Sequence, residues 1–238
     1  MQAKFPPGPA FRDKHSGIKS APAAPTLPGA GIEKLPARIE NLQILKWDLW
    51  SRGGESITDV IDARPRAPVL DLGGFTHPTE PKVAALGLLE HLWATRNDRK
   101  PVLIVIDEAH NLCSPNPVTP VERALTEQLI QIAAEGRKFG LWLFLSTQRP
   151  TKIHPNVLSQ CDNLGLMRVN SPRDLAEIGE VFCFVPEQIL LHSQQFLQGQ
   201  GLFAGGFIDA PTFAQMRDRV TLEGGSDVKV PMQATAAR

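Results

Sequence analysis

The sequence predicts an α/β fold, a mostly parallel sheet with helices on both faces. Three observations carry that expectation. Two apolar runs, Val102-Leu103-Ile104-Val105-Ile106 and Leu141-Trp142-Leu143-Phe144-Leu145, show no polar alternation, as expected of strands covered on both faces. Between them, Val121 to Lys138 repeats apolar residues at helical spacing through Leu125, Leu129 and Ile132. Strand, helix, strand in that order implies a right-handed crossover and parallel neighbours.

The elements follow in order. Residues 1–36 are rich in Pro, Ala, Gly and Lys, and Ala21 to Gly31 (APAAPTLPGAG) reads as linker. Residues 37–66 form a poorly defined lead-in. A helix is possible there from Leu35 to Trp50, with Leu42, Leu45, Leu49 and Trp50 as its apolar stripe, before a turn at Arg52-Gly53-Gly54. Residues 67–222 are the organised part. Val69-Leu70-Asp71-Leu72, closed by Gly73-Gly74, predicts a buried strand. Pro81 to Arg96 predicts a helix through Val83, Leu86, Leu89 and Trp93, with the proline in its first turn. Beyond the second apolar run, Asn163 to Val169 reads as a strand. Pro172 to Gly179 and Pro186 to Leu191 read as short helices, and Gly201 to Phe207 as an edge strand. Residues 223–238 are a polar, loose tail. No internal repeat is present.

Composition narrows the function classes. Lys+Arg and Asp+Glu balance at 25 each, so no global basic field demands nucleic acid, although a local basic rim remains open. Cys113, Cys161 and Cys183 are scattered, without Cys-x-x-Cys spacing, and read as thiols in a reducing compartment rather than a metal site or disulfide framework. No apolar stretch reaches the roughly 18–20 residues of a membrane span. Met1 to Pro9 is polar and Pro-rich, unlike a signal peptide, so the expected address is cytoplasmic and no membrane partner is expected.

The chemistry lies where the first apolar run ends. Open parallel sheets bind ligands beyond the carboxyl ends of their strands. Val102 to Glu108 (VLIVIDE) therefore delivers two carboxylates to that edge. In nucleoside-triphosphate hydrolysis one acid helps hold Mg²⁺ through its water shell, and a second orients or deprotonates the attacking water. Asp107 suits the first role and Glu108 the second. The plainer alternative is an acidic pair capping the next turn.

The second run ends in Ser146-Thr147-Gln148-Arg149-Pro150, placing hydroxyls and an amide at the same edge, where a polar side chain can contact the γ-phosphate or the water. Arg137, in the last turn of the intervening helix, either complements the helix dipole or reaches a neighbouring subunit's nucleotide as an arginine finger. No Gly-x-x-x-x-Gly-Lys-Ser/Thr occurs. Gly17-Ile18-Lys19-Ser20 has part of that shape, but no apolar strand precedes it. A chain without that loop is expected to bind ATP poorly alone.

LIVIDEAHNL (103–112), EGRKFGLWLFLSTQRP (135–150), VLSQCDNLGLMRVNSPRDL (157–175), GLFAGG (201–206) and VLDLGGF (69–75) resemble the C-terminal half of HerA-type ATPases, in the HerA/FtsK branch of RecA-like P-loop proteins. The resemblance runs from about Val60 to Val230. It implies a RecA-like core incomplete at its N-terminal side. It also implies an ATP- and Mg²⁺-dependent DNA translocase or helicase, a homo-hexamer in the family, often with a nuclease partner in DNA-end processing or phage defence. By the family pattern Asp107 and Glu108 are Walker B, with Asp107 on Mg²⁺ through water. Gln148 is the sensor, Arg137 the finger in trans, and Thr147 and Arg149 are nucleotide contacts.

The family's N-terminal barrel and Walker A loop have no counterpart here, which implies a fragment or truncated product that needs the missing portion. Three other readings compete. Asp107-Glu108-Ala109-His110 also spells the DEAH box of superfamily 2 helicases, whose Ser-Ala-Thr and Gln-Arg-x-Gly-Arg elements are absent, so His110 is expected only to cap or pack near the strand end. A non-catalytic remnant would bind a partner ATPase or DNA. A subunit of a mixed complex would supply Glu108 and Arg137 to a Walker A on another chain.

Overall fold

The computed structural model describes residues 34–50, 52–218 and 220–221. Of the linker expected over 1–36, residues 1–33 lie outside the described residues, as does the tail over 223–238, whereas residues 34–36 belong to a helix and not to a linker. The chain divides into two compact units, Met1–Cys161 and Asp162–Arg238.

The first unit opens with α1 (Lys34–Asn41), α2 (Ile57–Asp62) and α3 (Glu80–Ala94), followed by β1 (Val102–Ile106), α4 (Pro120–Glu135), β2 (Leu141–Leu145) and the short α5 (Pro155–Leu158). β1 and β2 pair in parallel, in register from Val102 opposite Leu141 to Ile106 opposite Leu145. The expected crossover helix is α4. Thr119 caps it by accepting from the Glu122 amide while the Glu122 carboxylate accepts from the Thr119 amide, and Pro120 occupies the first turn without wasting a donor. Leu125, Leu129 and Ile132 are buried along one side of it. The turn Gly136–Phe139 continues the helix, and Gly140, at φ 84°, reverses the chain into β2. On α3, the buried Glu80 carboxylate accepts from the His77 and Leu49 amides, fastening the lead-in to the helix.

Several expectations need correction. Val69–Leu72 forms no strand: Val69 is 80% exposed, and the Asp71 carboxylate accepts from the Gly73 amide at 2.8 Å, closing a local turn instead of joining a ladder. The helix expected from Leu35 to Trp50 stops at Asn41. Gln43 adopts φ 51°, a conformation no helix continues through, and Leu42 and Leu45 stay exposed while Leu49 is buried. The two apolar runs are strands, but the face bearing Leu103, Val105, Trp142 and Phe144 is exposed to between 43% and 62%. Full apolarity predicts cover on both sides, and the described residues leave that face bare.

The second unit holds β3 (Asn163–Leu166), α6 (Pro172–Val181), α7 (Glu187–His192), β4 (Gln200–Gly205) and β5 (Thr212–Gln215). Its strands form an antiparallel sheet in the order β3-β4-β5. The strand expected at the edge, β4, is therefore central, with Leu202 and Ala204 fully buried. β5 is unforeseen, because Thr212–Gln215 is too short to show a period. The helices α6 and α7 lie where proline and apolar spacing predict them, and Ser171 caps α6 by accepting from the Asp174 amide.

Candidate functional site

Because Ile106 lies opposite Leu145, the segments 107–110 and 146–149 leave the sheet together at its carboxyl edge. Backbone bonds stitch them: the Ser146 amide donates to the Ile106 carbonyl, and the Ala109 amide to the Ser146 carbonyl, both at 2.9 Å. Glu108 sits between these ties at φ 48°, ψ 46°, a left-handed conformation that side chains rarely adopt. Its amide donates to Asp107 Oδ1 at 3.0 Å and its carbonyl accepts from the Asn111 amide at 2.9 Å, so the surroundings fix the unusual turn. The short turn Ala109–Asn111 then brings His110 back toward the neighbouring loop.

The side chains meet across that edge. Gln148 Nε2 donates to Glu108 Oε1 at 2.9 Å. His110 Nδ1 lies 3.1 Å from Thr147 Oγ1 and 3.2 Å from Glu108 Oε2. The second contact has ion-pair distance without a hydrogen bond's angle, which leaves Oε2 buried and otherwise unpartnered. Thr147 Oγ1 also accepts from the Arg149 amide at 3.0 Å. Asp107 is exposed beside Glu108.

Of the residues singled out from sequence, Glu108, Thr147 and Gln148 thus converge. Asp107 and Arg149 adjoin them through backbone. Arg137 does not join: it precedes β2, at the opposite edge of the sheet and about one strand length, roughly 13 Å or more, from Glu108. Sequence reasoning assigned His110 only a packing role. The signal for more is its position two residues beyond an acid at a strand end, and it becomes legible only with the β1–β2 register.

The donor set bears on Mg²⁺. Among the described residues no group of three or more His, Cys, Asp or Glu side chains could hold a metal ion. In nucleotide sites Mg²⁺ keeps several waters and takes one or two carboxylates plus substrate phosphates, so a single exposed Asp107 fits a water-mediated role. No helix among the described residues is long and apolar enough to cross a membrane.

No protein-family model matches the chain. It is 30% identical over 131 residues to the probable DNA double-strand break repair helicase HerA of Methanocaldococcus jannaschii, covering 55% of this chain and 25% of that protein. It is 33% identical over 128 residues to the DNA double-strand break repair helicase HerA of Sulfurisphaera tokodaii, covering 53% of this chain and 25% of that one. The chain thus spans about a quarter of the length of these curated relatives. Among solved structures, VirB4 of Thermoanaerobacter pseudethanolicus shares the fold with a TM-score of 0.50 at 17% identity, over 80% of this chain and 52% of that one. Over about 130 residues the chain is thus similar to part of HerA-type helicases, and its α/β fold is shared with VirB4.

Proposed function

We propose that this chain supplies the acid half of an ATP-hydrolysing site that drives movement along DNA. The observation that carries the reading is the 2.9 Å bond between Gln148 and Glu108, which joins the ends of two parallel strands at the ligand edge. Glu108 orients and deprotonates the attacking water. Gln148 senses the γ-phosphate, and its amide leaves Glu108 when the phosphate and water take its place. Asp107 holds Mg²⁺ through water, and the ion, when bound, neutralises charge on the phosphates. Thr147 and Arg149 face the same edge. Arg137 stands too far away to enter its own site, which suits a finger reaching a neighbour's nucleotide in a homo-hexameric ring. The relatives named as DNA double-strand break repair helicases support DNA as the track, and the reading adds a nuclease as working partner. A cytoplasmic address agrees with three free cysteines.

The test measures ATP binding and Mg²⁺-dependent phosphate release by the chain alone and mixed with a HerA-type protein segment bearing the phosphate loop. Alone, turnover is absent. In the mixture it appears, and Glu108→Gln lowers it by about 100-fold or more, as loss of a general base does. Turnover in the mixture that ignores Glu108→Gln would sink the proposal.

A second reading is favoured by the bare face of Leu103, Val105, Trp142 and Phe144. In it the chain is a partner-docking module without turnover, and the occupant is the chain that carries the phosphate loop. Association without phosphate release in the same mixture selects it.

A further inference from the structure

Glu108 Oε2 is sealed from solvent and makes no hydrogen bond of good angle, and the group facing it is His110 Nδ1 at 3.2 Å. We infer that His110 is a positioning residue whose Nδ1–H anchors Glu108 Oε2 while Thr147 aims the ring. The inference deepens the reading of Glu108 as the acid that orients water, and rests on it.

The question is whether Nδ1 carries a proton. With Nδ1 bare, two lone-pair atoms would face each other at 3.2 Å and the buried carboxylate oxygen would have no donor at all. With Nδ1 protonated, the hydrogen is shared between Oε2 and Thr147 Oγ1 at 3.1 Å. Thr147 Oγ1 can accept it, because a hydroxyl has two lone pairs and the Arg149 amide occupies only one. The second placement gives the buried Oε2 a donor that faces it, which the first does not.

It also divides the work between the carboxylate oxygens. Gln148 holds Oε1 from an exposed position, whereas His110, with a side chain only 15% exposed, holds Oε2 from within. When Gln148 turns to a phosphate, Oε1 becomes available to water while Oε2 keeps the carboxylate from swinging away. His110 therefore orients the acid without touching substrate.

The experiment records imidazole ¹⁵N and Gln148 side-chain amide spectra of the full chain. In the wild type, Nδ1 of His110 carries a proton. Glu108→Ala returns the ring toward the Nε2–H form usual for unrestrained imidazole. His110→Ala moves the Gln148 amide resonances toward those of a solvated glutamine. His110→Asn, whose Nδ2 takes the place of Nδ1, leaves them near the wild type, which a purely space-filling role would not do. A wild-type proton on Nε2 alone, or identical Gln148 spectra for the Ala and Asn variants, overturns the inference. The wild-type measurement needs no variant to fold. None of these spectra involves nucleotide, so failure of the mixture to hydrolyse ATP sinks the reading of Glu108 independently of them.

Discussion

Glu108 occupies a backbone position that glycine would adopt more readily. At φ 48° a side chain costs about 1–2 kcal/mol relative to right-handed backbone, and part of glycine's advantage is offset by its greater freedom when unfolded. Glu108→Gly and Glu108→Ala both delete the carboxylate, so comparing them isolates the backbone. The glycine variant is expected to unfold in urea with about 0.5–1 kcal/mol more stability than the alanine variant. Equal midpoints would mean that the turn relaxes once the carboxylate is gone. At this scale the sequence showed the acids and the amide, because each directly follows an apolar run. It did not show the left-handed turn or the contact of His110 with Thr147, 37 positions away. Both depend on the β1–β2 register and on a bond from Ala109 to Ser146, which no local pattern encodes.

Helix α4 joins the site's two strands, and two of its residues report how firmly. Glu122 accepts from Lys82 on α3 and from the Thr119 and Val118 amides, with Lys82 the largest influence, and these bonds hold its pKa down to about 2 from an ordinary 4.5. A carboxyl depressed on folding stabilises the native state fully above pH 4.5 and loses that contribution as pH falls from 4.5 toward 2. Glu122→Gln should therefore lower the melting temperature at pH 7, with the gap to wild type narrowing over that window. The pair is partly solvated, so the gap is modest. A gap that stays constant with pH would assign the effect to cap geometry alone. At the other end, a Cβ on Gly136 would stand 2.9 Å from the Leu141 carbonyl oxygen and 3.1 Å from Ile132 Cγ2. Gly136→Ala is thus expected to cost about 1–3 kcal/mol, measured by denaturant unfolding. An unchanged midpoint would show that β2 can shift on the helix. The longer helices were legible, since α3, α4, α6 and α7 carry 3.6-residue spacing and proline or hydroxyl start signals, whereas the short α2 and α5 were not. Short strands were read unevenly: β3 lies where a strand is expected. Val69–Leu72 has strand composition but no ladder partner among the described residues, and the central place of β4 follows from β5, whose four residues carry no period.

The two apolar runs were read as doubly covered, and the described residues cover them once. A two-stranded sheet is marginal by itself, and here α4 packs against β2 with Leu125, Leu129 and Ile132 buried along it, while α3 packs on α4. The opposite face keeps Leu103, Val105, Trp142 and Phe144 in water, and each strand has one edge without a ladder partner among the described residues. Uniform apolarity is therefore a pattern suited to a doubly covered sheet, and this chain spans about a quarter of the length of the relatives it matches. The asymmetry has a measurable consequence. Leu129→Ala, on the covered side, should cost about 2–5 kcal/mol. Replacing Trp142 alone or Phe144 alone by Lys should cost less than Leu129→Ala, because about half of each aromatic side chain already lies in water, and replacing both together should raise solubility. In the mixture with a phosphate-loop segment, the same double replacement should abolish association, since a sheet face carrying two cations cannot be buried against an apolar layer without desolvating them. Association at the wild-type level would show that the partner engages this chain elsewhere, and that the bare face plays no part in completing the core.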